Sequence, residues 1–212
     1  SHEGTAPDAL VLNGGLPDDR EVDAVARDVA AELARLGQPA QSVTLRDVQV
    51  APCLGCFECW TGSPGVCRTH DAGRDLARVW IRSHLVALVT PVTFGGYSSE
   101  LKKAVDRMIC VELPFFTRVG GEVHHRPRYA RRPALLVVGV LRAPAPAQER
   151  IFHELAQRTA INLQPPAFAC LVLVRSGGAD EASEPLLRGA IAAVLERAGA
   201  SPGLAVAAGG TP

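Results

Sequence analysis

Hydrophobic residues in this chain form short, wholly apolar runs that alternate with segments in which apolar positions recur every three or four residues. Runs such as ALLVVGVL and FACLVLV are typical of strands buried on both faces, whereas apolar residues at every third or fourth position are typical of amphipathic helices. The apolar runs predict strands at 9–14, 42–48, 84–92, 134–141 and 168–174. The helical spacing predicts helices at 22–36, 75–83, 100–108, 148–160 and 184–198.

The alternation of strands and helices predicts an α/β fold, a doubly wound sandwich whose five-stranded parallel sheet carries helices on both faces. We expect a single domain over residues 1–198, followed by a loose tail over residues 199–212, which are rich in Gly, Ala and Pro. In such a sheet, ligands bind beyond the carboxyl ends of the strands, where the strand order reverses. Three loops are predicted at that edge, 14–20, 53–67 and 91–99.

Charge and composition exclude several classes of partner. The 22 basic residues match the 22 acidic residues, so no net charge directs the chain to nucleic acid. No apolar run approaches the ~20 residues that cross a membrane. The first residues, SHEGTAPD, lack the basic-then-apolar pattern of a signal peptide. We therefore expect a cytoplasmic protein with no membrane partner, in which clustered cysteines indicate metal or redox chemistry.

The loop at 91–99, PVTFGGYSS, has residues that suit a flat ligand. Its two glycines allow the backbone to approach closely, and Phe94 and Tyr97 can lie against an aromatic ring. Ser98 or Ser99 would cap the helix that follows. The same residues would also make a tight strand-to-helix connection without any ligand, so the loop by itself supports both interpretations.

A family resemblance favours the ligand. The residues PVTFGGYSSELKKAVDR, at 91–107, resemble the P-V-Y-x4-S-x2-L-K-x3-D-R signature of flavodoxin-like NAD(P)H-dependent FMN reductases. The segment APCLGCFECW with PGVCRTHD resembles the cysteine loop of one branch, the iron–sulfur flavoproteins. The resemblance implies the flavodoxin-like fold, a homodimer or higher homo-oligomer, FMN as cofactor and NAD(P)H as co-substrate. It also implies that electrons pass to a quinone, free flavin or similar small-molecule acceptor.

The resemblance also assigns residues to the flavin. It sets the FMN ring against Pro91, Val92, Thr93, Phe94, Gly95, Gly96 and Tyr97, with Thr93 standing where the family usually has tyrosine. In related reductases the first loop, G-S-x-R followed by Ser, Thr or Asn, holds the FMN phosphate at a helix start. Here the corresponding segment is NGGLPDDREVD, in which Gly14, Gly15 and Arg20 remain as donors.

The first loop departs from the family in its charge. Its carboxylates, Asp18, Asp19, Glu21 and Asp23, would repel a phosphate, although acidic residues at a helix start also stabilise the helix. A flavodoxin-like binding domain that has lost FMN is therefore an alternative function.

The cysteine loop allows three interpretations. Cys53, Cys56, Cys59 and Cys67 have the spacing C-x2-C-x2-C-x7-C, and the turn-rich TGSPGV could bring the fourth thiolate back to a 4Fe-4S cluster. Zinc would need the same four thiolates, and thiols can also simply pack as small hydrophobic groups. A cluster would make the chain an electron carrier, as a further alternative function. Cys110 and Cys170 are expected in the core.

The segment GGEVHHRPRYARRP, at 120–133, concentrates positive charge. Its basic side chains could bind the phosphates of NAD(P)H or an anionic substrate, or could form a solvated or dimer-facing arm. They are His124, His125, Arg126, Arg128, Arg131 and Arg132. Adjacent histidines on an extended chain point apart, so they are not expected to share a metal.

Overall fold

The computed structural model describes residues 8–176 and 183–200. The described strands are β1 Ala9–Asn13, β2 Ala40–Thr44, β3 Leu85–Pro91, β4 Glu112–Val119, β5 Glu122–Pro127, β6 Ala134–Leu141 and β7 Phe168–Val174. The described helices are α1 Arg20–Arg35, α2 Glu58–Thr61, α3 Ala72–Arg82, α4 Ser99–Arg107, α5 Pro146–Leu163 and α6 Ser183–Ala200. Short 3-10 turns cover Leu45–Asp47 and Met108–Val111.

Five of these strands form one parallel sheet in the order β2-β1-β3-β6-β7. Apolar side chains on its two faces alternate along each strand, as the two-residue period of a strand requires. Leu10 and Leu12 pack towards α3, α4 and α5, whereas Ala9 and Val11 pack towards α1 and α6. The predicted five-stranded parallel sheet with helices on both faces is confirmed.

The structure corrects some element boundaries. The second strand, predicted over 42–48, covers Ala40–Thr44, because the chain then turns at Leu45–Asp47 and buries Leu45 in the core. Helix α5 is longer than its predicted range of 148–160, since Pro146 opens it at a position where a missing N–H costs nothing. The predicted tail at 199–212 lies almost wholly outside the described residues, so that prediction stays as it was made.

The β4–β5 hairpin was not predicted. Its antiparallel strands meet at Gly120 and Gly121, which both have positive φ, +58° and +86°. A Gly-Gly pair between two runs rich in β-branched and aromatic residues is a hairpin signal, and the sequence ELPFFTRVGGEVHH carries it.

The strand order fixes where a ligand can bind. Strand β1 has β2 on one side and β3 on the other, so the chain reverses its direction of winding at β1. The loops that follow β1 and β3 therefore diverge and leave a crevice at the carboxyl edge of the sheet. No helix in the described part of the chain is long and apolar enough to cross a membrane.

Candidate functional site

The loop that follows β1 lies in this crevice and is held by its own hydrogen bonds. The Gly14 amide donates to the Val89 carbonyl at 2.7 Å, and the Gly15 amide donates to Asn13 Oδ1 at 2.8 Å. Both glycines are buried. Of the donors predicted for a phosphate, Gly14 and Gly15 are thus bonded inside the protein, and the side chain of Arg20 is exposed.

Next to this loop lies a network of polar side chains. Arg46 donates to both carboxylate oxygens of Asp23, at 2.8 and 2.9 Å, and Asn13 Nδ2 donates to the same carboxylate at 2.7 Å. The Arg46 guanidinium also reaches the Gly15 carbonyl at 3.3 Å. The hydrogen bond from Arg46, working against burial, holds the pKa of Asp23 below its usual value. Sequence reasoning did not find Arg46, because it lies 23 residues from its partner.

The loop after β3 makes a tight turn. The Thr93 amide donates to the Gly96 carbonyl at 2.9 Å, and the Gly96 amide donates to the Thr93 carbonyl at 2.8 Å. Phe94 and Gly95, between them, have φ of +51° and +79°. The Phe94 side chain is 93 % exposed, whereas Gly95 packs directly against Ile151 of α5. The turn therefore has an exposed aromatic ring at its tip and packs on α5 behind it.

Tyr97, the last residue assigned to the flavin, faces the interior. Its hydroxyl lies 3.0 Å from Thr159 Oγ1, and its ring meets Phe152 edge to face. Burial raises the pKa of Tyr97 to about 12. Of the two aromatic side chains of this loop, Phe94 is therefore the exposed one.

Ser98 connects the two loops, which the sequence did not reveal. Its hydroxyl donates to the Gly14 carbonyl at 2.6 Å and accepts from the Leu101 amide at 3.2 Å, so it also caps α4 as predicted. A side chain at Gly14 would lie 2.7 Å from Leu101 Cβ, which explains the glycine there. The hydrogen bond from Ser98 to Gly14 therefore fixes the loop after β3 against the loop after β1.

The cysteine loop forms a second pocket. Cys53, Cys56, Cys59 and Cys67 all line it, together with Cys110. Cys59 is buried, and burial, with the nearby Cys67, Cys53 and Cys56, raises the pKa of its thiol. Burial also raises the pKa of Cys110 to about 11. Cys110 was predicted to belong to the core and is buried, but it also faces the thiols of the loop.

Arg107 forms one wall of this pocket. Its guanidinium makes two hydrogen bonds of 2.8 Å to the Asp71 carboxylate and one of 3.0 Å to the Ala51 carbonyl. Both side chains of this ion pair are almost fully buried. Burial tends to raise the pKa of Asp71, but the bonds from Arg107 and from the Ala51 and Gly73 amides outweigh it and lower that pKa. The pair thereby ties both ends of the cysteine loop to α4.

The thiols are the donors that soft metals and iron–sulfur clusters take. Within residues 8–176 and 183–200, however, no three His, Cys, Asp or Glu side chains are arranged to hold one metal ion. The loop brings the four predicted cysteines to one pocket, and their type fits a cluster, but they do not form a closed set of ligands. The assignment of these residues to a metal stays a prediction.

The basic segment is largely engaged in holding the hairpin. His124 is buried between Asn162 and Glu122, at 2.9 and 3.1 Å, and His125 lies 2.9 Å from the Leu113 carbonyl. Arg128 donates to the carbonyls of Cys110, Cys59 and Glu112. Rings also join the hairpin to the cysteine loop, in the order Phe57, Trp60, His125 and Phe116, with centroids 5.1, 4.7 and 4.8 Å apart.

The fold, with its crevice between the first and third strands, defines a flavodoxin-like protein. Solved structures with this fold include RosB with a bound riboflavin-5'-phosphate derivative, at 15% identity and a TM-score of 0.62, covering 91% of this chain and 79% of that one. An FMN-dependent NADH-azoreductase from Bacillus anthracis, in complex with FMN, has 15% identity and a TM-score of 0.57. It covers 91% of this chain and 98% of the azoreductase.

The sequence model of the NADPH-dependent FMN reductase family matches residues 7–170, and the chain belongs to that family. An iron–sulfur flavoprotein of Methanocaldococcus jannaschii is 27% identical over 114 residues, which are 53% of this chain and 58% of the relative. An iron–sulfur flavoprotein of Archaeoglobus fulgidus is 26% identical over 98 residues, 46% of this chain and 47% of the relative. The match thus spans about half the length of these curated relatives.

Proposed function

We propose that this chain is a flavin-dependent oxidoreductase in which NAD(P)H is the electron donor and a quinone, free flavin or similar small molecule is the acceptor. A bound flavin, FMN in the family's name, supplies the redox chemistry by accepting a hydride and releasing electrons. The observation that supports this most is the turn Thr93–Gly96 at the switch point of the sheet.

The residues of this chain have the task of binding and orienting the ring. The tip at Phe94 and Gly95 would contact the polar edge of the ring, and the exposed Phe94 would cover part of its face. Pro91, Val92, Thr93 and Gly96 would hold this tip in place, since the amides of Val92, Thr93 and Gly96 are bonded within the protein. The Gly95 position packed on Ile151 gives this tip a firm support. No side chain needs to act as an acid or base in this scheme.

The test begins with flavin-free protein. We expect added FMN or riboflavin to stay with the protein through desalting, so that the protein carries the twin flavin absorption bands, and the bound flavin to bleach when NADPH or NADH is supplied without air. Phe94→Ala should weaken flavin binding about tenfold, the loss of one aromatic contact. The matched control is Phe115→Ala, which removes an exposed phenylalanine of the hairpin and should not change binding. A chain that binds neither flavin would be a domain that has lost its cofactor.

A second function is supported by the cysteine pocket. If Cys53, Cys56, Cys59 and Cys67 hold a 4Fe-4S cluster, the chain would carry single electrons to or from the flavin. The supporting observation is that all four line one pocket. A pocket of reduced thiols suits the cytoplasmic location that we propose for this chain.

Iron and acid-labile sulfide, measured on protein purified without air, decide this second function. Each of Cys53→Ser, Cys56→Ser, Cys59→Ser and Cys67→Ser should lower the iron content, since every thiolate would be a ligand. Cys170→Ser is the control, because Cys170 lies on β7 and does not line the pocket. Iron-free wild-type protein would leave four packed or reactive thiols in place of a cluster.

A further inference from the structure

The first loop, residues 14–20, uses most of its backbone amides within the protein. Besides the bonds of Gly14 and Gly15, the Asp19 amide donates to the Leu16 carbonyl at 3.1 Å, and the Arg20 amide donates to the Asp18 carbonyl at 3.0 Å. A phosphate at a helix start is ordinarily held by backbone amides that have no partner within the protein. Four of the six backbone amides of residues 14–20 are therefore already bonded, which leaves few donors for an oxyanion.

The guanidinium nearest to the loop is occupied as well. Arg46 makes a two-point bond with Asp23, which also accepts from Asn13. Arg46 could bind a phosphate only by leaving this carboxylate, which would then lie beside the phosphate without its counter-charge. The pair is only partly buried, but its separation would still leave the Asp23 carboxylate without the hydrogen bonds from Arg46.

The charge of the loop also opposes a phosphate. The cavity beside it is lined by Pro17, Asp18, Arg20, Asp23, Arg46 and Asp47, with three carboxylates against two guanidinium groups. Asp19 is buried at the helix start, with Arg142 at 3.7 Å, and so brings a further carboxyl group to the positive end of α1. A phosphate monoester, with a charge of about −1.5 to −2 at neutral pH, would meet this surface directly.

From these contacts we propose that the flavin crevice of this chain takes a flavin without a 5′-phosphate, and prefers riboflavin to FMN. Riboflavin keeps the ring that the turn Thr93–Gly96 would contact, and its ribityl hydroxyls bring no charge to the first loop. The inference rests on the proposed function, because it concerns the flavin of the same crevice. It deepens that function by naming the chemical class of the ligand, an uncharged isoalloxazine.

The experiment compares the two flavins on the same flavin-free protein by calorimetric titration. At low salt, ~50 mM, we expect riboflavin to bind at least about fivefold more tightly than FMN, and the difference to shrink at ~500 mM, where charges are screened. Equal binding, or tighter binding of FMN, would overturn the proposal and leave the flavin-dependent function standing. Failure of both flavins to bind would overturn the proposed function itself, and the inference with it.

Charge-removing variants test the cause. The double variant Asp18→Asn with Asp19→Asn should raise the affinity for FMN about tenfold, through the loss of two negative charges, and leave that for riboflavin unchanged. Asp75→Asn, which removes an exposed carboxylate in the first turn of α3, is the matched control and should change neither affinity. Because Asp19 is buried, its substitution can also disturb folding. The single variant Asp18→Asn avoids this and should raise the affinity for FMN by a smaller factor. An FMN affinity that does not rise in either variant would overturn the proposed repulsion.

Discussion

Gly95 is the residue on which the flavin-binding turn depends most. It has a φ of +79°, and a Cβ there would lie 2.8 Å from Ile151 Cβ. We predict that Gly95→Val weakens flavin binding about tenfold and lowers the free energy of unfolding by roughly 1–3 kcal/mol, because the turn must shift and the backbone is strained. Flavin titration and urea denaturation measure the two effects.

Gly37 offers a matched control for that substitution. Its φ is +75°, and nothing lies within 4 Å of a Cβ built there. Gly37→Val should therefore cost a similar backbone strain without altering flavin affinity. If Gly95→Val and Gly37→Val bind flavin equally well, the turn Thr93–Gly96 is not part of the site.

At the scale of the elements, the ion pair between Arg107 and Asp71 joins α4 to the start of α3. We predict that Arg107→Ala lowers the free energy of unfolding by roughly 3–5 kcal/mol, because it leaves a buried carboxylate without its partner. Lys102→Ala, on the same helix, removes an exposed ion pair with Asp106 and should cost only about 0–1 kcal/mol. Chemical denaturation compares the variants, and equal losses would contradict a special role for the buried pair.

Glu112, at the start of β4, makes stability depend on pH. Burial raises the pKa of Glu112 to about 7, against the opposing effect of Arg132 and Arg128. The folded chain therefore keeps a proton that the unfolded chain releases near its ordinary pKa of 4.5. Stability contributed by this group is present at low pH and is lost as the pH rises from about 4.5 to about 7, by roughly 1–3 kcal/mol.

The variant Glu112→Gln isolates this effect. Glutamine cannot titrate, so denaturation at acid and neutral pH should give a smaller fall in stability for the variant than for the wild type. The difference between the two proteins matters here, since other carboxyl groups titrate in both. A wild-type protein whose stability follows that of the variant across this range would show that Glu112 ionises normally.

The sequence predicted the regular elements better than the polar contacts. The strands ALLVVGVL and FACLVLV were both predicted to the residue. Burial on both faces explains the apolar run of β6, whereas β7 lies at the edge of the sheet and is mostly only partly buried. Arg46 and Arg107 were missed, since their partners lie 23 and 36 residues away and a charged residue alone carries no sign of its pairing. The inward turn of Tyr97 was likewise set by Thr159, which lies 62 residues further along the chain.

For the whole molecule, the exposed aromatic side chains suggest that the chain does not act alone. Besides Phe94, which we assign to the flavin, Phe57, Phe115 and Phe116 are each more than half exposed, and large apolar groups at the surface often mark contacts between chains. We predict a homodimer, with a mass by light scattering of twice the 22.4 kDa of the chain. A mass of 22.4 kDa at the concentrations used for activity would contradict it.

The ring series from Phe57 to Phe116 has an optical consequence. The chain contains two tryptophans, and they report on different places. Trp80 is buried in the core at 3 % exposure, whereas Trp60 is partly exposed, stacks on Phe57 and belongs to the cysteine loop. Emission from Trp60, read in a Trp80→Phe background, would thus follow the loading of the cysteine pocket in real time, without a label.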